Sequence, residues 1–234
     1  MTTQNPNISL KGKVAFVSGA SKGIGVSIAE LFAAAGCDLA LTARNEQELE
    51  QTAENARKSG VKVWTKTAEM ADADEVKAVG NAALAEFGHI DILVNNAGVT
   101  IPQPILETTL DNFHTIINVN VLAPFLLTQI FAPSMIAKKK GKIVNVTSRA
   151  AIRAFPTGSV YSASKGALQL LTQSMAVEFG PHNIQTNSVA PTVTMTPMGD
   201  NAWPPSPRRD AKLAKIPTGR FAEPEEVADT VLYL

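Results

Sequence analysis

The feature that most constrains the fold of this chain is a regular alternation of short apolar runs with longer amphipathic stretches. Runs rich in β-branched and apolar residues predict six β-strands, at Lys13–Ser18, Asp38–Thr42, Val61–Lys66, Asp91–Val94, Lys142–Thr147 and Ile184–Val189. Helical spacing of apolar residues predicts helices at Ile24–Ala35, Glu46–Ser59, Asp74–Phe87, Leu110–Lys138, Ser159–Phe179 and Pro224–Leu234. Apolar strands that alternate with helices predict an α/β fold, a doubly wound parallel sheet with helices on both faces.

Length and composition predict one domain. The chain has 234 residues, of which 45% are hydrophobic and 18% are charged, and this is typical of a globular domain. We expect a flexible tail at residues 1–9, without the apolar core of a secretory signal, and a single domain at 10–234. Because 21 Lys+Arg balance 21 Asp+Glu, no basic field is available to bind nucleic acid.

Cysteine and histidine usage argues against disulfides and metal sites. The single cysteine, Cys37, cannot form an intramolecular disulfide, which fits a cytoplasmic protein. The three histidines, His89, His114 and His182, have no second ligand at metal spacing. We therefore assign no metal.

One uncharged stretch is long enough to imitate a membrane span. It runs over residues 115–137 but contains two asparagines, a glutamine and two prolines, at 118, 120, 129, 124 and 133. These residues are costly in lipid. We expect instead a long helix buried against protein, with no membrane partner.

The end of the first strand carries a glycine-rich turn. It reads Ser18-Gly19-Ala20-Ser21-Lys22-Gly23-Ile24-Gly25. Glycines at this spacing permit a tight turn and let the backbone approach a pyrophosphate, whose charge the next helix N-terminus favours. Such a turn also occurs as an ordinary strand-to-helix connection, but its place in the first βα unit favours dinucleotide binding.

The end of the second strand indicates which dinucleotide is bound. Enzymes that take NAD usually place a carboxylate there, on the ribose 2′-hydroxyl. This chain has Thr42-Ala43-Arg44 instead. Arg44 and Lys22 have the charge to hold a 2′-phosphate, which favours NADP(H) over NAD(H). The alternative for Arg44 is a solvated side chain at the start of a helix.

Ser148, Tyr161 and Lys165 form the strongest candidate catalytic group. Tyr161 and Lys165 stand at i and i+4, so they share one helix face. An ammonium beside a phenol favours the phenolate, so we expect a lowered tyrosine pKa and a plausible general acid for a carbonyl oxygen. Ser148 follows the fifth strand and could hold the same oxygen. The alternative is an ordinary surface pair on a helix.

Taken together, these motifs resemble those of the short-chain dehydrogenase/reductase superfamily. The resemblance rests on the glycine turn, Asn95-Asn96-Ala97-Gly98, Asn120, Ser148, Tyr161-x-x-x-Lys165 and Asn187-x-x-x-Pro191, in the family's order, and it covers residues 12–234. It implies a Rossmann-type fold, a homo-oligomer (dimer or tetramer), and a soluble enzyme of the shorter branch. Residues 195–199 and 216–223 are also locally similar to the L-xylulose/dicarbonyl reductase subgroup.

The resemblance also implies roles for individual residues. Tyr161 would be the acid/base, Lys165 would lower its pKa and bind the nicotinamide ribose, Ser148 would position the carbonyl, and Asn120 would organise a relay water. Asn95 would line the cofactor. The implied cofactor contacts are Gly19, Ser21, Lys22, Gly23, Ile24, Gly25, Arg44, Glu69, Met70, Asn96, Ala97, Gly98, Tyr161, Lys165, Pro191, Val193, Thr194 and Thr196.

The chain departs from the family pattern in three places. Glu69 stands where the family often has Asp beside the adenine, and Pro191-Thr192 replaces a common Pro-Gly. The sequence stops at Leu234, where relatives usually continue into a last strand, so we expect that strand to be absent.

The sequence indicates the substrate-binding residues less specifically than it indicates the cofactor-binding residues. We expect Ser148, Arg149, Phe155, Tyr161 and Thr192 at the substrate. Arg149 and Arg153 could bind a carboxylate or phosphate, or could be solvated loop arginines.

Pro124 lies in the predicted long helix and cannot donate a hydrogen bond to the carbonyl of Asn120. We expect a kink there that holds a water near Lys165, or else a simple bend of the helix.

The resulting hypothesis is an NADPH-dependent oxidoreductase that interconverts a ketone and a secondary alcohol of a small molecule. A 3-oxoacyl-thioester reductase is the alternative within the same class. A non-catalytic NADP-binding scaffold is the alternative from another class.

Overall fold

The computed structural model describes residues 8–234, and residues 1–7 of the expected tail lie outside the described residues. Ile8 is partly buried against the core. The strands are β1 Val14–Ser18, β2 Asp38–Ala43, β3 Val63–Thr67, β4 Ile92–Asn95, β5 Gly141–Val146 and β6 Ile184–Val189. The helices are α1 Ile24–Ala34, α2 Glu46–Arg57, α3 Ala73–Phe87, α4 Leu110–Ile117, α5 Ala123–Lys138, α6 Ser159–Phe179, α7 Pro197–Ala202, α8 Pro207–Leu213 and α9 Pro224–Tyr233.

The predicted doubly wound sheet is confirmed. The six strands form one sheet in the order β3-β2-β1-β4-β5-β6, and every neighbouring pair is parallel. The strand order reverses between β1 and β4. In such sheets ligands bind beyond the carboxyl ends of the strands, at this reversal.

Helices cover both faces of the sheet because successive strand residues point to opposite sides. Ala15 and Val17 of β1 belong to one core cluster, together with Ile28 and Phe32 of α1. Phe16 of β1 faces the other side, in a cluster with residues of α3 and α5. The two cores hold the sheet rigidly, so the loops after β1, β4, β5 and β6 have fixed starting points.

The predicted single helix at Leu110–Lys138 is wrong in detail. A five-residue π-helical turn, Asn118–Leu122, separates α4 from α5. Pro124 is the second residue of α5, just beyond this turn. A proline removes one backbone hydrogen bond, and a local change of helix type accommodates it. The expected kink and its water stay predictions. By length and composition the run could span a membrane, but half of its most apolar window is buried inside the fold.

The segment after β6 contains two short helices, α7 and α8, which the sequence analysis did not assign. Residues 203–206, a proline-rich stretch between them, are not helical. Both helices begin at a proline preceded by a hydroxyl N-cap: Thr196 accepts from the Gly199 N–H at 3.0 Å, and Ser206 accepts from the Arg209 N–H at 3.3 Å. The residues 194–213, here called the lid, lie over the carboxyl edge of the sheet.

Candidate active site

A cleft of about 1160 Å³ lies at the carboxyl edge of the sheet, between the loops that follow the strands and the lid. Most of the predicted site residues line it. They are Gly19, Ser21, Lys22, Gly23, Ile24, Arg44, Glu69, Met70, Asn96, Ala97, Gly98, Ser148, Arg149, Phe155, Tyr161, Lys165, Pro191, Thr192, Val193, Thr194 and Thr196. Gly25 and Asn120 are not among the lining residues.

The glycine turn is shaped for close approach. Gly19 and Gly23 adopt positive φ angles of 67° and 55°, which favour glycine. A Cβ on Gly23 would lie 2.8 Å from Cγ2 of Thr196, and a Cβ on Gly25 would overlap the carbonyl oxygen of Gly19. Gly25 therefore acts from behind the cleft, by letting α1 pack against the turn.

The other side of the glycine turn is held by Asn96. Its side-chain amide donates to the carbonyl oxygens of Ser18 and Gly19, at 3.0 Å in both cases. The N-cap of α1, Gly23, has no side chain to satisfy the first N–H groups of the helix. The residues present thus fit a pyrophosphate, because uncapped N–H groups and a glycine cradle face one space.

Two carboxylates lie at the end of the cleft near β2 and β3: Glu69, which the resemblance implied, and Glu48, which it did not. Lys22 forms an ion pair of 2.7 Å with Glu48, and Arg44 lies 3.6 Å from a carboxylate oxygen of Glu69. Glu48, in the first turn of α2, was missed by the sequence analysis because only the fold brings it to Lys22. Both pairs are solvent-exposed, and such pairs are weak. A phosphate can therefore compete for both cations.

Tyr161 and Ser148 lie together in the cleft. The Ser148 side chain lies near enough to the Tyr161 phenol to lower its pKa. Ser148 is fixed at the end of β5, where its Oγ accepts from the Ala150 N–H at 3.0 Å. Lys165 lies one helical turn after Tyr161, with its Nζ 5.9 Å from the centre of the tyrosine ring. Two hydroxyl groups are therefore available to a single substrate oxygen.

The expected lowering of the Tyr161 pKa is wrong for the protein without a bound dinucleotide. Burial raises the pKa of the Tyr161 phenol, and the hydrogen bond with Ser148 opposes part of this rise. Burial also lowers the pKa of Lys165 to about 8. The Lys165 ammonium donates to the carbonyl oxygen of Val146 at 2.9 Å, so this main-chain contact holds it. Phenol is the favoured form of Tyr161 at neutral pH, as an acid requires.

Asn120 lies behind the cleft wall and is fully buried. Its Oδ1 accepts from the Val99 N–H at 2.9 Å, and its Nδ2 donates to the Val99 carbonyl at 3.0 Å. A Cβ on Gly98 would lie 3.4 Å from Oδ1 of Asn120 and 3.2 Å from Nζ of Lys165. The π-helical turn thus places Asn120 close to Lys165, with Gly98 beside both.

Asn95 does not line the cleft, contrary to the role that the resemblance implied. Its side-chain amide donates to Oδ1 of Asn145 at 2.8 Å, and Asn145 in turn donates to Thr172 at 2.8 Å. Asn95 is buried. It belongs to a polar chain that joins β4, β5 and α6 beneath the site.

The comparison with protein families decides the family. The family model described as short chain dehydrogenase matches residues 13–206. The chain belongs to the short-chain dehydrogenase family. As a short-chain dehydrogenase it is an oxidoreductase that acts on CH–OH and C=O groups, and this family uses NAD(P)(H). The resemblance seen in the sequence motifs is thereby confirmed.

Curated relatives cover nearly the whole short-chain dehydrogenase chain. L-xylulose reductase of Bos taurus is 42% identical over 97% of this chain and 91% of its own. D-threitol dehydrogenase of Mycolicibacterium smegmatis is 38% identical over 96% and 86%. A 3-oxoacyl-acyl-carrier-protein reductase of Thermotoga maritima is 36% identical over 96% and 91%.

A solved structure shares the short-chain dehydrogenase fold. It is that of a candidate NAD(P)-dependent gluconate 5-dehydrogenase of Beutenbergia cavernae, with NADP bound at low occupancy. It is 31% identical, covers 97% of this chain and 90% of its own, and superposes with a TM-score of 0.90.

The lid adds an aromatic residue and two cations to the cleft, and the sequence analysis assigned neither cation. Trp203, Arg208 and Lys212 line the cleft. The guanidinium of Arg208 lies 4.5 Å from the centre of the Trp203 ring. An aromatic residue followed by several cations in a proline-rich stretch was the available signal, but its position over the cleft follows only from the fold.

Among the described residues no cluster of three His, Cys, Asp or Glu could hold a metal ion.

Proposed function

We propose that this short-chain dehydrogenase is an NADPH-dependent reductase of small polyhydroxy ketones, acting reversibly on the corresponding secondary alcohols. The observation that carries the proposal is that Ser148 and Tyr161 line the same cleft beside each other, so that both hydroxyl groups can reach one substrate oxygen. The relatives named for L-xylulose and D-threitol act on small polyols or their ketones, which supports this substrate class.

The site residues divide the chemistry between them. When bound, NADP(H) supplies or accepts the hydride at the substrate carbon. Ser148 donates a hydrogen bond to the carbonyl oxygen, and Tyr161 gives its phenolic proton to that oxygen as the bond to carbon becomes single. In the reverse direction the tyrosine oxygen takes this proton back.

Lys165 restores the proton of Tyr161, and Asn120 positions the backbone beside Lys165. The Lys165 ammonium has a pKa near neutrality because it is buried, so it can exchange a proton close to physiological pH. It also stabilises the transient phenolate by charge. Asn120 holds the backbone of Val99 beside the ammonium and so positions this part of the site. Its organisation of a relay water stays a prediction.

Arg44 and Lys22 favour NADP(H) over NAD(H). Each is the cation of an exposed ion pair at the end of the cleft near β2. A 2′-phosphate there would gain charge-assisted hydrogen bonds that a 2′-hydroxyl cannot make. The NADP-bound structure of the Beutenbergia cavernae protein supports the same assignment.

The test compares the chain's two tyrosines. Tyr161→Phe keeps the ring and removes the proton donor, so turnover of L-xylulose with NADPH should fall by roughly 10²–10⁴-fold. NADPH binding, followed by its fluorescence, should change little. Tyr233→Phe is the control, because Tyr233 is 78% exposed and lies outside the cleft. Substantial activity in Tyr161→Phe would require another acid.

The same assay separates the alternatives. A 3-oxoacyl-thioester reductase would reduce acetoacetyl-CoA faster than L-xylulose, and the similarity to the Thermotoga maritima protein makes this comparison necessary. A scaffold would bind NADPH and consume none with any reactive diketone.

A further inference from the structure

Four cations line the substrate end of the cleft. Arg149 and Arg153 come from the loop after β5, directly beyond Ser148, and Arg208 and Lys212 come from α8 of the lid. No ion pair involves any of them within residues 8–234. Two segments that are distant in sequence thus direct unpaired positive charge into one space.

The carboxylates of the cleft lie elsewhere. Within the described part of the chain, Glu48 and Glu69 are the acidic residues that line it, and each is already close to a cation near β2 and β3. Three strand spacings separate β2 from β5 in the sheet, which is about 14 Å at the usual spacing. Neither carboxylate can therefore neutralise the four cations.

Lys212 of the lid is close to the two arginines of the β5 loop. The pKa of Lys212 is lowered, first by burial and then by the positive charges of Arg149, Arg153 and Lys215. The Trp203 ring lies 4.5 Å from the Arg208 guanidinium and 5.6 Å from Nζ of Lys212. A cation–π contact offsets only part of such repulsion. Uncompensated charge in a cleft is the arrangement that an anionic ligand would stabilise.

The phosphates of the dinucleotide in the proposed function do not account for an anionic ligand at these four cations. Its pyrophosphate fits the glycine turn after β1, and its 2′-phosphate fits Lys22 and Arg44. Lys212 of the lid lies near enough to Arg149 and Arg153 for their charges to lower its pKa. These two arginines follow Ser148, which would hold the reacting oxygen. The positive charge at the lid therefore faces the part of the substrate beyond its carbonyl group.

We propose that the preferred substrate is a small hydroxy-ketone that carries a carboxylate or phosphate, bound by Arg149, Arg153, Arg208 and Lys212 while Ser148 and Tyr161 hold its carbonyl oxygen. This inference rests on the proposed function and narrows its substrate class. Guanidinium groups suit the planar, bidentate binding of such anions. The lid supplies two of the cations, so binding of the anion would also hold the lid over the site.

Matched substrate pairs test the proposal. 5-Keto-D-gluconate differs from L-sorbose by a carboxylate in place of a hydroxymethyl group, and D-xylulose 5-phosphate differs from D-xylulose by its phosphate. We expect kcat/KM with NADPH to be roughly ten- to a hundredfold higher for the anionic member of at least one pair, as for a charge-assisted contact. The pair with the larger ratio identifies carboxylate or phosphate. Equal or higher values for both neutral members would overturn the proposal.

Variants locate the effect. In Arg149→Gln/Arg153→Gln the preference in kcat/KM for the anionic member over the neutral member should disappear. Lys140→Gln, an exposed charge outside the cleft, is the control and should retain the preference. Weaker NADPH binding with the substrate preference intact would assign these arginines to the dinucleotide and overturn the proposal.

A binding measurement keeps this inference separate from the proposed function. The chain has two tryptophans, so Trp64→Phe leaves Trp203 as the reporter beside Arg208. Gluconate should change its fluorescence at lower concentration than sorbitol does, and the arginine double variant should abolish the difference. Binding without turnover of any ketone would refute the proposed function alone. Equal binding of gluconate and sorbitol, and of ribitol and ribitol 5-phosphate, would refute this inference alone.

Discussion

The side-chain amide of Asn120 donates a hydrogen bond of 2.9 Å to the hydroxyl of Ser164, and this hydroxyl donates to the carbonyl of Tyr161 at 2.7 Å. Ser164 is fully buried. It joins the π-helical turn to the helix that carries Tyr161 and Lys165. The relative positions of three proposed site residues therefore depend on a serine to which the motif assigned no role.

Ser164→Ala should destabilise the chain and disturb the site. It leaves Nδ2 of Asn120 with one partner fewer in a buried place, which costs about 1–3 kcal/mol of unfolding free energy. Ser162→Ala is the control, because the buried hydroxyl of Ser162 has no hydrogen-bond partner among residues 8–234. Urea unfolding should show a clear loss for Ser164→Ala and almost none for Ser162→Ala. Equal losses would mean that the Asn120 contact is unimportant.

Arg44→Ala should weaken NADPH and leave NADH nearly unchanged. Loss of a charge-assisted hydrogen bond costs about 1.5–3 kcal/mol, so the Kd of NADPH should rise roughly ten- to a hundredfold. Arg57→Ala is the control, since Arg57 pairs with Glu50 outside the cleft. Glu69→Gln frees Arg44 and should bind NADPH at least as tightly. A similar loss of both dinucleotides in Arg44→Ala would contradict the 2′-phosphate assignment.

The buried lysine predicts a particular pH dependence of stability. Burial lowers the pKa of Lys165 from 10.5 to about 8. Between these values the unfolded chain binds the proton and the native chain does not, so stability from this group rises with pH from about 8 to 10.5. The free energy of unfolding of the wild type, relative to Lys165→Met, should increase by about 3 kcal/mol over that range. Chemical denaturation at several pH values measures it, and a constant difference would disprove it.

Two glycines should respond oppositely to alanine. In Gly25→Ala the new Cβ meets the Gly19 carbonyl, so the turn must shift at a cost of about 1–3 kcal/mol, and NADPH binding should weaken. In Gly166→Ala, inside α6, the nearest atom is 3.5 Å away, so better helix propensity should add about 0.5–1 kcal/mol. Thermal unfolding and NADPH titration of both variants check the pair. Destabilisation by Gly166→Ala would show that α6 packs more tightly there.

The sequence by itself determined the features that depend on local pattern. Apolar periodicity predicted all six strands within a few residues, and glycine spacing predicted the turn at Gly19. The i, i+4 spacing of Tyr161 and Lys165 was enough to place them on one helix face. These predictions succeed because strand and helix geometry relates neighbouring residues by fixed distances. The oligomeric state and the cellular location stay predictions.

Only the tertiary structure decided which distant residues meet. It brought Glu48 to Lys22, Ser164 to Asn120, and Arg208 and Lys212 to the loop of Arg149. It also reversed the expected direction of the Tyr161 pKa, because burial outweighs a lysine whose ammonium is held by a main-chain carbonyl. Strand order and lid packing determine which of these residues meet, and burial and nearby charges determine the pKa of Tyr161. None of these is a function of spacing along the chain.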